Sequence, residues 1–320
     1  MTDFSFTLLE SSRWSDYALL DSGDGLKLER FGKYVFVRPE AQAIWRRALP
    51  ESDWNHVHAV FQPTSEESGG HWIAKKKMEE KWQMTYRLPP KSDGLSDLGG
   101  QRGVDLRFWA MTTPGRHLGV FPEVASHWDF MVDSIQRAGL HPERSRRGPV
   151  KVLNLFGYTG LASLAAAAAG AQITHVDASK KSVAWARDNQ LLSKLDNKPI
   201  RWIVDDAVKF VEREARRGSR YDGIILDPPK FGRGPKGEVW EVYKSLPNLL
   251  AACRETLSKD PLFLVVTVYA VRASAIHVAQ AVSETMTGFS GQVDAGELVT
   301  REQSADRLLS QAVYARWQAK

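Results

Sequence analysis

The sequence predicts a doubly wound, mostly parallel α/β sheet preceded by a smaller β-rich domain. Three observations carry this. After residue 150, apolar strand runs alternate with helical runs, the order that builds βαβ units. Within that half, KVLNLFGYTGLASLAAAAAGAQITHVD (Lys151 to Asp177) joins a buried strand to an alanine-rich helix through a glycine turn, then returns as a second strand. Before about residue 120, short strand runs follow one another between turn residues, with little helical periodicity. The expected division is residues 1–120 as the β-rich domain, 121–149 as a bridging helix and linker, and 150–320 as the α/β domain.

The bulk composition agrees with two moderate domains. The chain has 320 residues, 43% hydrophobic and 25% charged, the balance of an ordinary globular protein. No apolar run reaches transmembrane length, and MTDFSFTLLESSRW lacks a basic leader pattern, so no membrane association is expected and the cytoplasm is the expected compartment. A single cysteine, Cys253, excludes an internal disulfide and a cysteine zinc site. Net charge is +5, with 20 basic against 20 acidic residues in 1–149 and 23 against 18 in the remainder. This mild excess permits a nucleic-acid partner without requiring one.

In the first domain the expected strands are Tyr17 to Asp21, Leu26 to Phe31 after a Gly23-Asp-Gly25 turn, and Tyr34 to Arg38 before Pro39. Others are expected near Ala59, His71, Trp82 to Tyr86 and Leu106 to Ala110. Seven of the eleven tryptophans fall in the first 130 residues. Most alternate with polar residues, which favours core filling over base stacking. His56 and His58 share a strand face near His71, yet no further ligand stands at metal-site spacing, so no metal is expected. Lys75-Lys-Lys77 runs into Glu79 and Glu80 and reads as mixed-charge surface.

Val124, Trp128, Met131 and Ile135 recur at helical spacing and predict the bridging helix. His141 to Pro149 reads as a surface loop. Beyond Asp177, Ser179 caps a helix, the strand Arg201 to Val204 ends on Asp205-Asp206, and Tyr221 to Leu226 runs into Asp227-Pro-Pro-Lys-Phe231. Gly232 to Gly237 reads as a loop able to close on a substrate, or as a plain connector. A helix from Leu249 to Leu257, the strand Leu262 to Val268, a helix from Ala273 to about Thr285, and a final antiparallel hairpin at the sheet edge complete the domain.

Strand ends on one sheet edge define the candidate site. The turn Gly157-Tyr-Thr-Gly160 leaves a strand and opens a helix, so its backbone N–H groups are expected to face a negatively charged group. Its spacing is neither that of a dinucleotide fingerprint nor that of a phosphate loop. With Thr159 supplying a hydroxyl, it suits a carboxylate; close packing of helix on sheet is the other use of such glycines. Asp177 is placed to accept both hydroxyls of a ribose. S-adenosyl-L-methionine has that carboxylate, a ribose and no phosphate. Asp206 is placed to accept an adenine amine, or to cap the next helix. The carbonyls of Asp227, Pro228 and Pro229 are expected to line a rigid acceptor edge, since proline fixes the backbone and removes donors.

These residues resemble the class I S-adenosylmethionine-dependent methyltransferases, and most nearly the bacterial large-subunit ribosomal RNA methyltransferases with an Asp-Pro-Pro-Lys/Thr-Phe motif. Asn154-Leu-Phe-Gly-Tyr-Thr-Gly160 is similar to that family's methionine-carboxylate loop, implying Phe156, Gly157, Tyr158, Thr159 and Gly160 as cofactor contacts. Val176-Asp-Ala-Ser-Lys180 is similar to its ribose strand end, implying Asp177, Ala178 and Ser179. Asp205-Asp-Ala207 resembles its adenine site, implying Asp206 and Ala207, and Asp227, Pro228, Pro229 and Lys230 its catalytic edge. The resemblance implies a Rossmann-like methyltransferase sheet with an antiparallel final strand, S-adenosyl-L-methionine as cofactor and an RNA substrate.

One departure bears on chemistry. Relatives that make 5-methylcytosine carry a cysteine just after the strand corresponding to Leu262 to Val268, where this chain has Val266-Thr-Val-Tyr-Ala-Val. Methylation at a pyrimidine C5 needs that thiolate adduct. Direct displacement by a nitrogen is therefore expected, with Phe231 or Tyr269 as a stacking face. Lys230 stands where amine-specific enzymes often have an aromatic residue. Methylation of a protein or small molecule, and a cofactor-binding or RNA-binding module without catalysis, are the alternatives, and self-association into a homo-oligomer is compatible with all three.

Overall fold

The computed structural model describes residues 4–64, 69–90, 103–269 and 274–320. Its elements in chain order begin with β1 (Ser5–Glu10), β2 (Tyr17–Gly23), β3 (Leu26–Phe31), β4 (Tyr34–Pro39), α1 (Glu51–Asn55), β5 (Ala59–Pro63), β6 (Gly70–Ala74), β7 (Trp82–Arg87) and β8 (Asp105–Ala110). A 3₁₀ turn at Pro122–Val124 leads into α2 (Ala125–Leu140) and α3 (Pro142–Ser145). Then come β9 (Lys151–Leu155), α4 (Leu161–Ala168), β10 (Gln172–Asp177), α5 (Lys180–Leu192), β11 (Ile200–Val204), α6 (Ala207–Arg216) and β12 (Gly223–Leu226). The chain ends with β13 (Phe231–Arg233), β14 (Val239–Glu241), α7 (Val242–Thr256), β15 (Phe263–Val268), α8 (Ala275–Thr285), β16 (Gly291–Arg301) and β17 (Leu308–Ala319).

The doubly wound sheet forms as predicted. Its order is β1-β16-β17-β15-β12-β9-β10-β11, parallel throughout except for β17, which runs antiparallel to both its neighbours. β9, β12 and β15 are almost wholly buried, as strands covered by helices on both faces must be. The final hairpin is there but does not end the sheet. β1, from the N-terminal stretch, pairs in parallel with β16 from Ser5↔Asp294 to Glu10↔Val299 and becomes the edge.

The β-rich part is a five-stranded sheet, β2-β3-β4-β5-β6, beside the β7-β8 ribbon. Trp54, Trp82 and Trp128 are buried, and Trp82 stacks on Phe36 with centroids 5.6 Å apart, so these rings do fill the core. His58 Nδ1 accepts the Val35 N–H at 3.0 Å. Among the described residues no three metal-binding side chains converge, and no helix is long and apolar enough to cross a membrane.

A buried polar joint holds this part against the large sheet. Asp21 and Glu302 are both essentially unexposed, and Arg307, from the β16–β17 turn, pairs with each. Asp21 also accepts Trp54 Nε1–H at 3.0 Å and Ser304 Oγ–H at 2.6 Å. The two parts therefore meet across buried carboxylates that are satisfied by hydrogen bonds and by Arg307.

Three local expectations are corrected. The loop expected after His141 contains the short helix α3, because Pro142 sits at the first helical position with Glu143 beside it. α7 starts at Val242 and runs through Pro247, where the sequence pattern starts it only at Leu249. The expected Gly232 to Gly237 loop is the tip of the β13–β14 hairpin, pinned by Gly234 N–H to Glu238 O at 2.8 Å and by Lys236 N–H to the Glu238 carboxylate at 2.9 Å. The expected start of the next helix, Ala273, lies outside the described residues.

Candidate active site

The carboxyl ends of β9, β10, β11, β12 and β15 open on one cavity of about 1040 Å³. This is where an open parallel sheet binds ligands. Asp177, Asp206 and Asp227, predicted from three separate strand ends, all line it.

The turn after β9 is strained. Phe156 and Tyr158 both have left-handed φ, +58° and +48°. Such residues cost about 1–3 kcal/mol each and persist only where the surroundings enforce them. The enforcing layer lies below: Asn154 Nδ2–H donates to Ser163 Oγ at 2.9 Å, and Ser163 Oγ is 3.0 Å from His175 Nδ1, all three residues buried. Burial holds the His175 pKa down to about 3, so the ring is neutral. A Cβ on Gly157 would stand 2.5 Å from His175 Nδ1, and one on Gly160 (φ +85°) 2.7 Å from Ala186 Cβ. Close packing is thus a real reason for both glycines.

Three donors of the anion cradle expected at this turn are already engaged. Gly157 N–H donates to Val176 O at 3.1 Å, Tyr158 N–H to Asp177 Oδ2 at 2.8 Å, and Gly160 N–H to Gly157 O at 2.9 Å. These donors are spent within the protein. Thr159 is corrected too: its hydroxyl donates to Gly119 O at 2.7 Å and the residue is buried, so its one hydrogen is unavailable to a carboxylate. The turn also offers a ligand shape, through Phe156 and Tyr158, which both line the cavity.

Asp177 is half-buried and accepts from Tyr158 N–H and Ser179 N–H, each at 2.8 Å. Burial raises its pKa, and the two backbone bonds act the other way. Each oxygen has a second lone pair for a ribose hydroxyl. Ala178 and Ser179 line the cavity beside it, with Ser179 Oγ capping α5 through Ser182 N–H at 3.1 Å. At the next strand end the helix-cap alternative is realised: Asp206 Oδ1 accepts Lys209 N–H at 3.0 Å, and Asp205 pairs with Arg213. Both carboxylates nevertheless line the cavity, with Ala207 next to them.

Asp227 is a strongly perturbed carboxyl. Its Oδ1 is buried without a hydrogen-bond partner, and burial, helped by the nearby Glu123 carboxyl, pushes its pKa up to about 8. A narrower recess of about 50 Å³ adjoins it, lined also by Gly157, Thr267 and His127. Both His127 nitrogens are buried and unpartnered. On the acceptor edge, Pro229 O already accepts Trp240 Nε1–H at 2.7 Å, which leaves it one lone pair. Pro228 and Lys230 line the cavity, and Lys230 O accepts Val242 N–H at 3.0 Å. Of the two expected stacking faces, Tyr269 lines the cavity with its ring 5.2 Å from that of Phe121, whereas Phe231 is 57% exposed on the hairpin. Cys253 is fully buried in α7, where burial pushes its thiol pKa up.

One wall escaped the sequence reading. Met111 to His117 and Phe121 close the cavity from the N-terminal side, and Trp185 joins them from α5.

Comparison with known proteins bears on this site. A family model described as S-adenosylmethionine-dependent methyltransferase matches residues 135–284. The crystal structure of the SAM dependent methyltransferase from Agrobacterium tumefaciens is 44% identical, with a TM-score of 0.85 over 100% of this chain and 98% of that one. Ribosomal RNA large subunit methyltransferase I of Escherichia coli O139:H28 is 39% identical over 249 residues, 71% of this chain and 57% of that protein. Ribosomal RNA large subunit methyltransferase K/L of Shewanella baltica is 39% identical over 110 residues, 34% of this chain. The chain spans only 15% of that K/L relative's length.

Proposed function

Because this chain belongs to the S-adenosylmethionine-dependent methyltransferases, we propose that it methylates a nitrogen of an RNA base by direct displacement, without a cysteine adduct. The observation that carries this is Asp227, a carboxyl with a buried, unpartnered oxygen on the same cavity as Asp177. The names of the relatives, ribosomal RNA large subunit methyltransferases, support RNA as the acceptor and so a cytoplasmic setting.

The residues fit the cofactor. Asp177 keeps lone pairs for the ribose hydroxyls, Asp206 and Ala207 bound the space for an adenine, and Phe156, Tyr158 and Ser179 shape the rest. S-adenosylmethionine supplies a methyl group already activated on a sulfonium. The chain has then to hold the acceptor lone pair in line and exclude water. As a carboxylate, Asp227 accepts an N–H of the acceptor amine and takes the proton that nitrogen loses; the Pro228 carbonyl offers a second acceptor. Tyr269 and Phe121 offer a ring face to the base. Cys253 is far too buried to add to one.

The test is transfer of a tritiated methyl group from S-adenosylmethionine into separated RNA, protein and metabolite fractions. Label is expected in RNA. Label confined to protein or to small molecules overturns the RNA reading.

A further inference from the structure

Two three-residue strands do not hold as a ribbon in water without a supporting surface. The β13–β14 hairpin has one on its inner face. Gly232 and Trp240 stand opposite each other in its register. Trp240 is buried, bonded through Nε1 to Pro229 O, and packed on Phe156 with ring centroids 4.8 Å apart. The ribbon is thereby fastened both to the acceptor edge and to the turn after β9.

Side chains alternate along a strand, so Phe231, Arg233, Val239 and Glu241 share the outer face. Phe231 is 57% exposed, Val239 59%, and Tyr243, at the start of α7, 55%. Of the eleven large hydrophobic side chains exposed among the described residues, these three fall within one short segment. Lys230, Arg233, Lys236 and Lys244 are interleaved with them, against Glu238 and Glu241. Glu238 is occupied by Lys209 at 2.7 Å and Glu241 by Lys244 at 2.6 Å. Lys230 and Arg233 reach the rim of the large cavity. Rings interleaved with cations suit a single-stranded polyanion, whose bases stack while its phosphates meet the charges. A second copy of this chain would bring the same cations against them.

We propose that the outer face of the β13–β14 hairpin, with Tyr243, docks the single-stranded RNA flanking the target nucleotide. This rests on the RNA reading above. Phe231→Ala/Tyr243→Ala in the full chain should raise KM for large-subunit ribosomal RNA by about tenfold, the scale of lost base–aromatic stacking. The Kd for S-adenosylmethionine should stay within about twofold, since neither side chain lines the cavity. Arg233→Ala should lower the slope of log affinity against log salt by about one. If wild-type protein labels RNA and the double variant does so with unchanged KM, the hairpin proposal is wrong while the RNA reading stands. Absence of RNA label with wild-type protein removes both. Self-association that the double variant abolishes would instead make this face a protein interface.

Discussion

Burial and the nearby Glu123 carboxyl favour the protonated acid at Asp227. Its folded pKa, pushed up to about 8 by burial and by Glu123, lies above the usual carboxylate value. The proton is therefore held below about pH 8 and lost above it. Taking the proton that the acceptor nitrogen loses requires the anion, so kcat/KM for methyl transfer should climb by about tenfold per pH unit below that value and level off above it. Asp227→Asn should lower the rate and erase that limb; an unchanged profile in the variant would remove Asp227 from the chemistry. Asp227 and Asp177 were legible in the sequence because each follows a buried strand. Thr159 was not, because the partner that takes its hydroxyl hydrogen is Gly119, forty residues earlier in the chain.

At the scale of elements, the turn between β9 and α4 works as a shaped wall resting on His175. Gly157→Ala drives a methyl group into that ring. It should lower stability by about 1–3 kcal/mol, the usual cost of overpacking, and weaken S-adenosylmethionine binding by displacing the wall. Gly157→Ala/His175→Ala opens the space again and should recover much of that loss, as calorimetric titration of the variants would measure. If the second substitution restores nothing, the wall is not held by His175. The strand, turn and helix here were legible from local periodicity. Their hydrogen bonds were not: the donors of Gly157 and Tyr158 go to β10, a pairing that exists only once the sheet forms. The β13–β14 hairpin was hidden for a similar reason. Its three glycines and two cations read as a loop, and what orders it is Trp240 reaching back to Pro229.

The whole molecule is a methyltransferase sheet with its cavity closed from the N-terminal side. Alternating strands and helices made the sheet legible, including the antiparallel β17. The parallel pairing of β1 with β16 joins residues nearly three hundred positions apart, and no local pattern announces it. The same holds for the joint of Asp21, Glu302 and Arg307, which sets the N-terminal part against the sheet. Met111 to His117, also from the N-terminal part, form a wall of the cavity. The claim that depends on this whole arrangement is methylation of an RNA base nitrogen without a covalent adduct. Its most direct test is mass spectrometry of nucleosides from large-subunit ribosomal RNA incubated with S-adenosylmethionine and either wild-type protein or Asp227→Ala. An N-methylated nucleoside that appears with the wild type and is lost with Asp227→Ala is the predicted result. A 5-methylpyrimidine whose formation requires Cys253 would contradict it.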